Sequence, residues 1–188
     1  MELLYAIVLG GAFGFVLNRV GATNPNNIIN MLRLTDLHLM RAILFGIGLS
    51  SALLFAGLGL GLVDAGNLSV KAAYIGVAIG GGLLGIGFAI AGYCPGTGLG
   101  AAATGRKDGW FFVLGGLLGA FAYMLTYEWT KSAGLLDKIF GGTTTLANTS
   151  ADGVGHVVNA VPGSVLGVVL GVIFMAIALF LPERLRRE

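Results

Sequence analysis

The chain has 188 residues, 56% of them hydrophobic and 11% charged, with a net charge of +2. Soluble domains carry about a quarter charged residues, so this composition excludes an ordinary soluble fold and points to an integral membrane protein. No basic run is long enough for nucleic acid, and the single cysteine excludes an internal disulfide and a cysteine-rich metal site.

In chain order, Met1-Glu2-Leu3 lacks the positive n-region of a signal peptide, so the first apolar segment, Leu3 to Asn18, is expected to stay as a tilted span. Gly21 to Asn30 is a polar break built on Asn24-Pro25, and Ile28 to Leu34 reads as a short half-helix. Ala42 to Val63 is a second span, followed by the turn Asp64-Ala65-Gly66-Asn67. The run from Ala72 to Gly105 has no charge for 34 residues. As one helix it would be roughly 50 Å long against a hydrocarbon core of about 30 Å, so it must break.

The break is expected at Cys94-Pro95-Gly96. Proline lacks an N–H and disfavours helical geometry at the residue before it. This divides the run into a third span, Ala72 to about Gly92, and a short helix, Pro95 to Ala103, with Gly105 as its C-terminal stop. Gly109 to Tyr127 is a fourth span. Thr130 to Ala160 reads as an exposed loop with one helical turn near Leu135 to Phe140, and Val161 to Leu181 as a fifth span closed by Pro182. The expectation is an all-α polytopic membrane domain of about five transmembrane helices. Its parts are a first unit (1–63), a second unit (70–130), a loop (131–160) and a final helix with a basic tail (161–188).

With five spans, Arg19, Arg33, Arg41, Arg106, Lys107, Arg184, Arg186 and Arg187 fall on one side and Lys71, Lys131 and Lys138 on the other. The positive side is cytoplasmic, which places the N-terminus outside and the C-terminus inside. The two interrupted loops then enter from the cytoplasm. A weak internal repeat relates them: Gly14-Phe15-Val16-Leu17 matches Gly87-Phe88-Ala89-Ile90, Pro25 matches Pro95, and Asp36 matches Asp108. Transporters are often built from such repeats, with solute sites at broken helices.

The second break carries the chemistry. With Pro95 at the favoured first helical position, Cys94 becomes the N-cap. The N–H groups of Gly96, Thr97 and Gly98 are expected to point at the cap without helical partners, forming an anion site. Thr97 adds a hydroxyl and Cys94 a polarizable sulfur, which suits a soft, sulfur-bearing anion. A helix start favours thiolate, whereas anion binding needs the neutral thiol; the sequence leaves both open. Asn24 and Asn26 are read as amide donors to the same path or as turn formers. Arg19, Arg33 and Arg41 are read as drawing anions to the cytoplasmic mouth or as simple consequences of orientation. Asp36 and Asp108 are expected to cap the spans after them, with Arg41 or Lys107 nearby. His38 and His156 stand alone, so no metal or cofactor is expected, nor a catalytic set. Asn148-Thr149-Ser150 fits a glycosylation sequon.

The segment Gly87-Phe88-Ala89-Ile90-Ala91-Gly92-Tyr93-Cys94-Pro95-Gly96-Thr97-Gly98, followed by Gly105-Arg106-Lys107-Asp108, resembles the YeeE/YedE family of membrane proteins. So does Gly14-Phe15-Val16-Leu17-Asn18-Arg19 with Leu34-Thr35-Asp36; the resemblance covers about residues 1–130. It implies a thiosulfate-type transporter of the bacterial inner membrane, with broken helices meeting near the membrane centre and Cys94 at a position where the family's carriers hold substrate through S–H···S contacts. The larger members use several cysteines, and this chain has one. Either two chains combine, or the substrate differs, or Cys94 works alone with backbone amides. The expected partners are lipid, a small inorganic sulfur anion, and a second copy or a partner membrane subunit. The alternatives are a membrane-embedded thiol enzyme or sulfur carrier using Cys94, or an accessory subunit of a larger transporter.

Overall fold

The computed structural model describes residues 1–64, 66, 68–69, 71–139, 142–148 and 155–183. Among them are seven helices: α1 (Glu2–Arg19), α2 (Pro25–Leu32), α3 (His38–Gly59), α4 (Ile75–Ala91), α5 (Pro95–Ala103), α6 (Lys107–Ser132) and α7 (Gly163–Phe180). Five stretches are long and apolar enough to cross a membrane: α1, α3, α4 with α5, α6 and α7. The helical, multi-span architecture with two proline-broken elements is as expected. Thr149, Ser150 and the basic tail from Arg184 onward lie outside the described residues.

Three boundaries differ from expectation for local reasons. The second span begins at His38, because Asp36 Oδ1 accepts from His38 N at 2.9 Å and starts the helix there. α6 runs on past Tyr127 to Ser132. Among the described residues of the loop after it, 135–139 form no helix, and Phe140 lies outside the described residues. The loop contains two strands instead, β1 (Thr144–Asn148) and β2 (Gly155–Pro162), paired in parallel with Thr144 opposite Gly155. Thr143-Thr144-Thr145 and Val157-Val158 are β-branched runs, which favour extended chain.

The chain forms two compact units. One comprises Met40–Gly80 and Thr130–Leu181. Here α7 presents Gly163, Gly167 and Gly171, spaced by four, as a buried stripe. A methyl group on Gly171 would lie 2.6 Å from Gly48 O, and the Phe55 ring packs on Gly167. Ser51 Oγ donates to Gly167 O at 3.1 Å. Small residues let two spans approach backbone to backbone, where van der Waals contact rather than water exclusion drives association. Arg41 Nε donates to Ala178 O at 3.1 Å, satisfying one of the open carbonyls at the C-terminal end of α7.

The other unit comprises Met1–Leu39, Gly81–Trp129 and Pro182–Glu188. Its long helices are almost uncovered: α1 buries no residue, and α6 buries only Gly109. Its core lies around the two half-helices and the turns beside them, with Ala22, Ile28, Met31, Leu37, Tyr93, Ala101 and Ala102 buried. The candidate site is in this unit.

Candidate functional site

The two breaks are built on one backbone plan. α1 ends with Gly21 at φ +81, where Gly21 N bonds Asn18 O and Ala22 N bonds Leu17 O. α4 ends with Gly92 at φ +67, whose N–H bonds Phe88 O. Both are left-handed glycine stops that satisfy open carbonyls. The chain then runs through an extended N-cap, Asn24 or Cys94, into a proline at the first position of the next half-helix. Both half-helices stop in the same way. Leu34 N bonds Met31 O and Thr35 N bonds Asn30 O; Gly105 N bonds Ala102 O and Arg106 N bonds Ala101 O. The residue at the left-handed position is Gly105 (φ +82) in the second and Leu34 (φ +58) in the first. The internal repeat is thus carried by hydrogen bonds and dihedral angles, beyond the few matched residue types.

The breaks also touch. A methyl group on Gly92 would come within 2.9 Å of Pro25 Cβ and 3.1 Å of Pro25 O. Reciprocally, one on Gly100 of α5 would come within 3.1 Å of Thr23 Cγ2. Each half-helix therefore packs on the turn that precedes the other. Thr23 is buried and donates from Oγ1 to Asn18 Oδ1 at 2.7 Å, while Asn27 Nδ2 donates to Gly21 O at 2.9 Å. These bonds hold the first turn closed.

Cys94 is the N-cap of α5 as expected. It is half-buried, with a free thiol. Its Sγ accepts from Thr97 N at 3.4 Å and faces Thr97 Oγ1 at 3.2 Å, while Thr97 Oγ1 accepts from Cys94 N at 2.9 Å. This is a capping box in which sulfur takes the place of the usual oxygen. The expectation of three open amides is corrected. Gly98 N bonds Cys94 O at 2.9 Å, since the fifth residue already closes a helical turn on the cap carbonyl, and Thr97 N is taken by the cap sulfur. Gly96 N is the amide without a protein acceptor among the described residues. Gly96 is exposed, and nothing lies within 4 Å of where its side chain would be. Pro95 is exposed, whereas Thr97 and Gly98 are buried, the latter under the Phe112 ring.

The other predicted residues are placed as follows. Asn24 is the N-cap of α2, its side chain accepting from Asn26 N at 3.2 Å, so it acts as a turn former; Asn26 is exposed. Arg19 is exposed in the last turn of α1 and Arg33 is exposed as the C-cap of α2, where a cation complements the helix dipole. Arg41 belongs to the other unit and is bonded to α7. Asp36 caps α3 as expected. The expected cap at Asp108 is corrected: it lies inside the first turn of α6, after the helix has begun at Lys107, and its carboxylate is taken by side chains. Its partner is Arg106, not Lys107: Arg106 Nη2 donates to Asp108 Oδ2 at 2.8 Å, and Tyr93 Oη donates to the same oxygen at 2.9 Å. These bonds push the Arg106 guanidinium further above its ordinary range, first through Asp108 and then through Tyr93, so it stays charged. Tyr93 and Arg106 were not singled out by the sequence. The one local signal was that Tyr93 adjoins the cap.

The chain matches no protein-family model, no curated protein and no solved structure. The span composition and the broken helices define the class of protein: it is a polytopic membrane protein.

Proposed function

We propose that this protein is a membrane transporter or channel for a small sulfur-containing anion of the thiosulfate class, the solute passing Cys94 and the first turn of α5. One observation carries the reading. A half-exposed thiol caps a helix start at which Gly96 is exposed and its N–H has no protein acceptor among the described residues. An amide donor backed by the partial positive charge of a helix end attracts an anion. A neutral thiol beside it offers a soft sulfur contact and a weak S–H donor. Non-helical backbone survives at membrane depth where it is buried in protein or lines a wet cavity, which fits the two mutually packed breaks.

The resemblance to the YeeE/YedE family supports the same class of solute and a bacterial inner membrane, with the N-terminus outside and the C-terminus in the cytoplasm. Arg19 and Arg33 then stand on the cytoplasmic side and draw anions toward the breaks. Gly10, Gly11 and Gly14 of α1 and Gly115, Gly116 and Gly119 of α6 have nothing packed on them, leaving room for a second copy or a partner membrane subunit.

The test is uptake of labelled thiosulfate by cells expressing wild type or Cys94→Ala. Wild-type uptake that falls at least about tenfold in the variant, a loss of roughly 1.4 kcal/mol, supports the reading. Equal uptake removes Cys94 from the mechanism, and no uptake by either removes this solute. A free, half-exposed thiol also favours a second reading, a sulfur carrier. Stable sulfur transfer to Cys94 without uptake would select it.

A further inference from the structure

We propose that Tyr93, Asp108 and Arg106 form a latch that positions the Cys94 thiol, so that the turn between α5 and α6 sets how far the sulfur is exposed. The inference rests on the reading of Cys94 as the solute-facing group. Tyr93 directly precedes the cap and is 2% exposed. A tyrosine hydroxyl buried this deeply needs polar partners, and both of these come from one short segment beyond the half-helix. Tyr93 Oη donates to Asp108 Oδ2 at 2.9 Å and accepts from Arg106 Nε at 3.1 Å. The pair itself is doubly bonded, with Arg106 Nε also 3.2 Å from Asp108 Oδ1. Such charge-assisted contacts are stronger than neutral ones and directional.

The same segment grips α5 along its length. The Tyr93 and Phe112 rings pack with centroids 5.6 Å apart, and Phe112 lies on Gly98. One turn further, a methyl group on Gly109 would come within 2.5 Å of Ala102 N. Cys94 is therefore held from both sides. The latch fixes the backbone before it, and the capping box with Thr97 fixes the backbone after it. Its extended conformation, φ −84 and ψ 164, is that of an N-cap residue before proline, as at Asn24. Among the described residues the first break shows no such latch: Asp36, the counterpart of Asp108, bonds its own helix start at His38. The latch thus serves the break that carries the thiol.

Cys94 is the sole thiol in the chain, which makes the test direct. Membrane vesicles holding wild type, Tyr93→Phe, Asp108→Ala, Asp108→Glu or Gly171→Ala are treated with a water-soluble maleimide. The second-order rate constant at Cys94 is read per mole of folded protein, beside thiosulfate uptake. Tyr93→Phe keeps the ring and removes only the hydroxyl. It and Asp108→Ala are expected to raise the constant about fivefold, the factor that one lost hydrogen bond makes in an opening equilibrium. Asp108→Glu keeps the carboxylate and is expected to restore the wild-type value. Gly171→Ala crowds the α3–α7 contact, lowering the amount of folded protein without changing the constant. Constants for Tyr93→Phe and Asp108→Ala within about twofold of wild type, or an equal rise in Gly171→Ala, would overturn the latch. Absence of uptake in every form, with the fivefold rise intact, would refute the anion reading and uphold the latch.

Discussion

The two breaks share a backbone and differ in what their side chains do with it. Around Asn24 the bonds turn inward: the cap amide closes on Asn26 N, Thr23 on Asn18, and Asn27 on Gly21. Around Cys94 the cap is a weak acceptor, one amide is left over, and the tie reaches outward to the next turn through Tyr93. The first break is tied mainly within itself, and the second is tied to the turn after its half-helix. The difference teaches that a structural repeat preserves the dihedral plan while the side chains at its two caps make different bonds.

The largest expected effect separates the two glycine stops. Gly92→Ala forces a left-handed conformation on a side chain and drives it against the Pro25 backbone, so a loss of about 2–3 kcal/mol is expected. Gly21→Ala carries the same conformational cost but meets only the movable Asn27 amide, and should lose about 1–2 kcal/mol. Thermal unfolding in detergent reads both, and equal losses would show that the breaks do not bear on each other. Next comes the cap swap. Cys94→Asn gives the second break the cap of the first; it should fold as wild type, because Asn is among the best N-caps. Thiosulfate uptake should nonetheless fall about tenfold, roughly 1.4 kcal/mol. Retained uptake would make the sulfur dispensable and the two breaks equivalent.

Smaller effects sharpen the same contrast. Asn24→Ala removes an oxygen cap and should cost about 1 kcal/mol of unfolding stability. Cys94→Ala should cost less, since sulfur at 3.4 Å is a weak acceptor. The smallest change should be a gain. Leu34 sits at φ +58 where the second half-helix has Gly105, so Leu34→Gly should stabilise by about 0.5 kcal/mol after allowing for glycine's larger chain entropy. A loss instead would mean that the Leu34 side chain contributes packing worth more than its strain.

By itself the sequence determined the spans, the necessity of a break in an uncharged run of 34 residues, and its position at Cys94-Pro95. It also determined Cys94 as N-cap, Gly105 as the stop and Asp36 as a cap before the second span, though not that this span begins at His38. These are read from neighbouring residues because helix ends are satisfied within about four positions of themselves. The count of open amides was misread by one helical turn, and Asp108 was assigned the partner beside it in the chain. Only the tertiary structure decided that Tyr93 reaches Asp108 and Arg106, that Gly92 rests on Pro25 and Gly100 on Thr23, and that Gly171 of α7 faces Gly48. Those pairings join segments far apart in sequence, and no propensity encodes them. They exist because two backbones can approach closely only where glycine leaves room, and which ones meet is settled when the chain closes on itself.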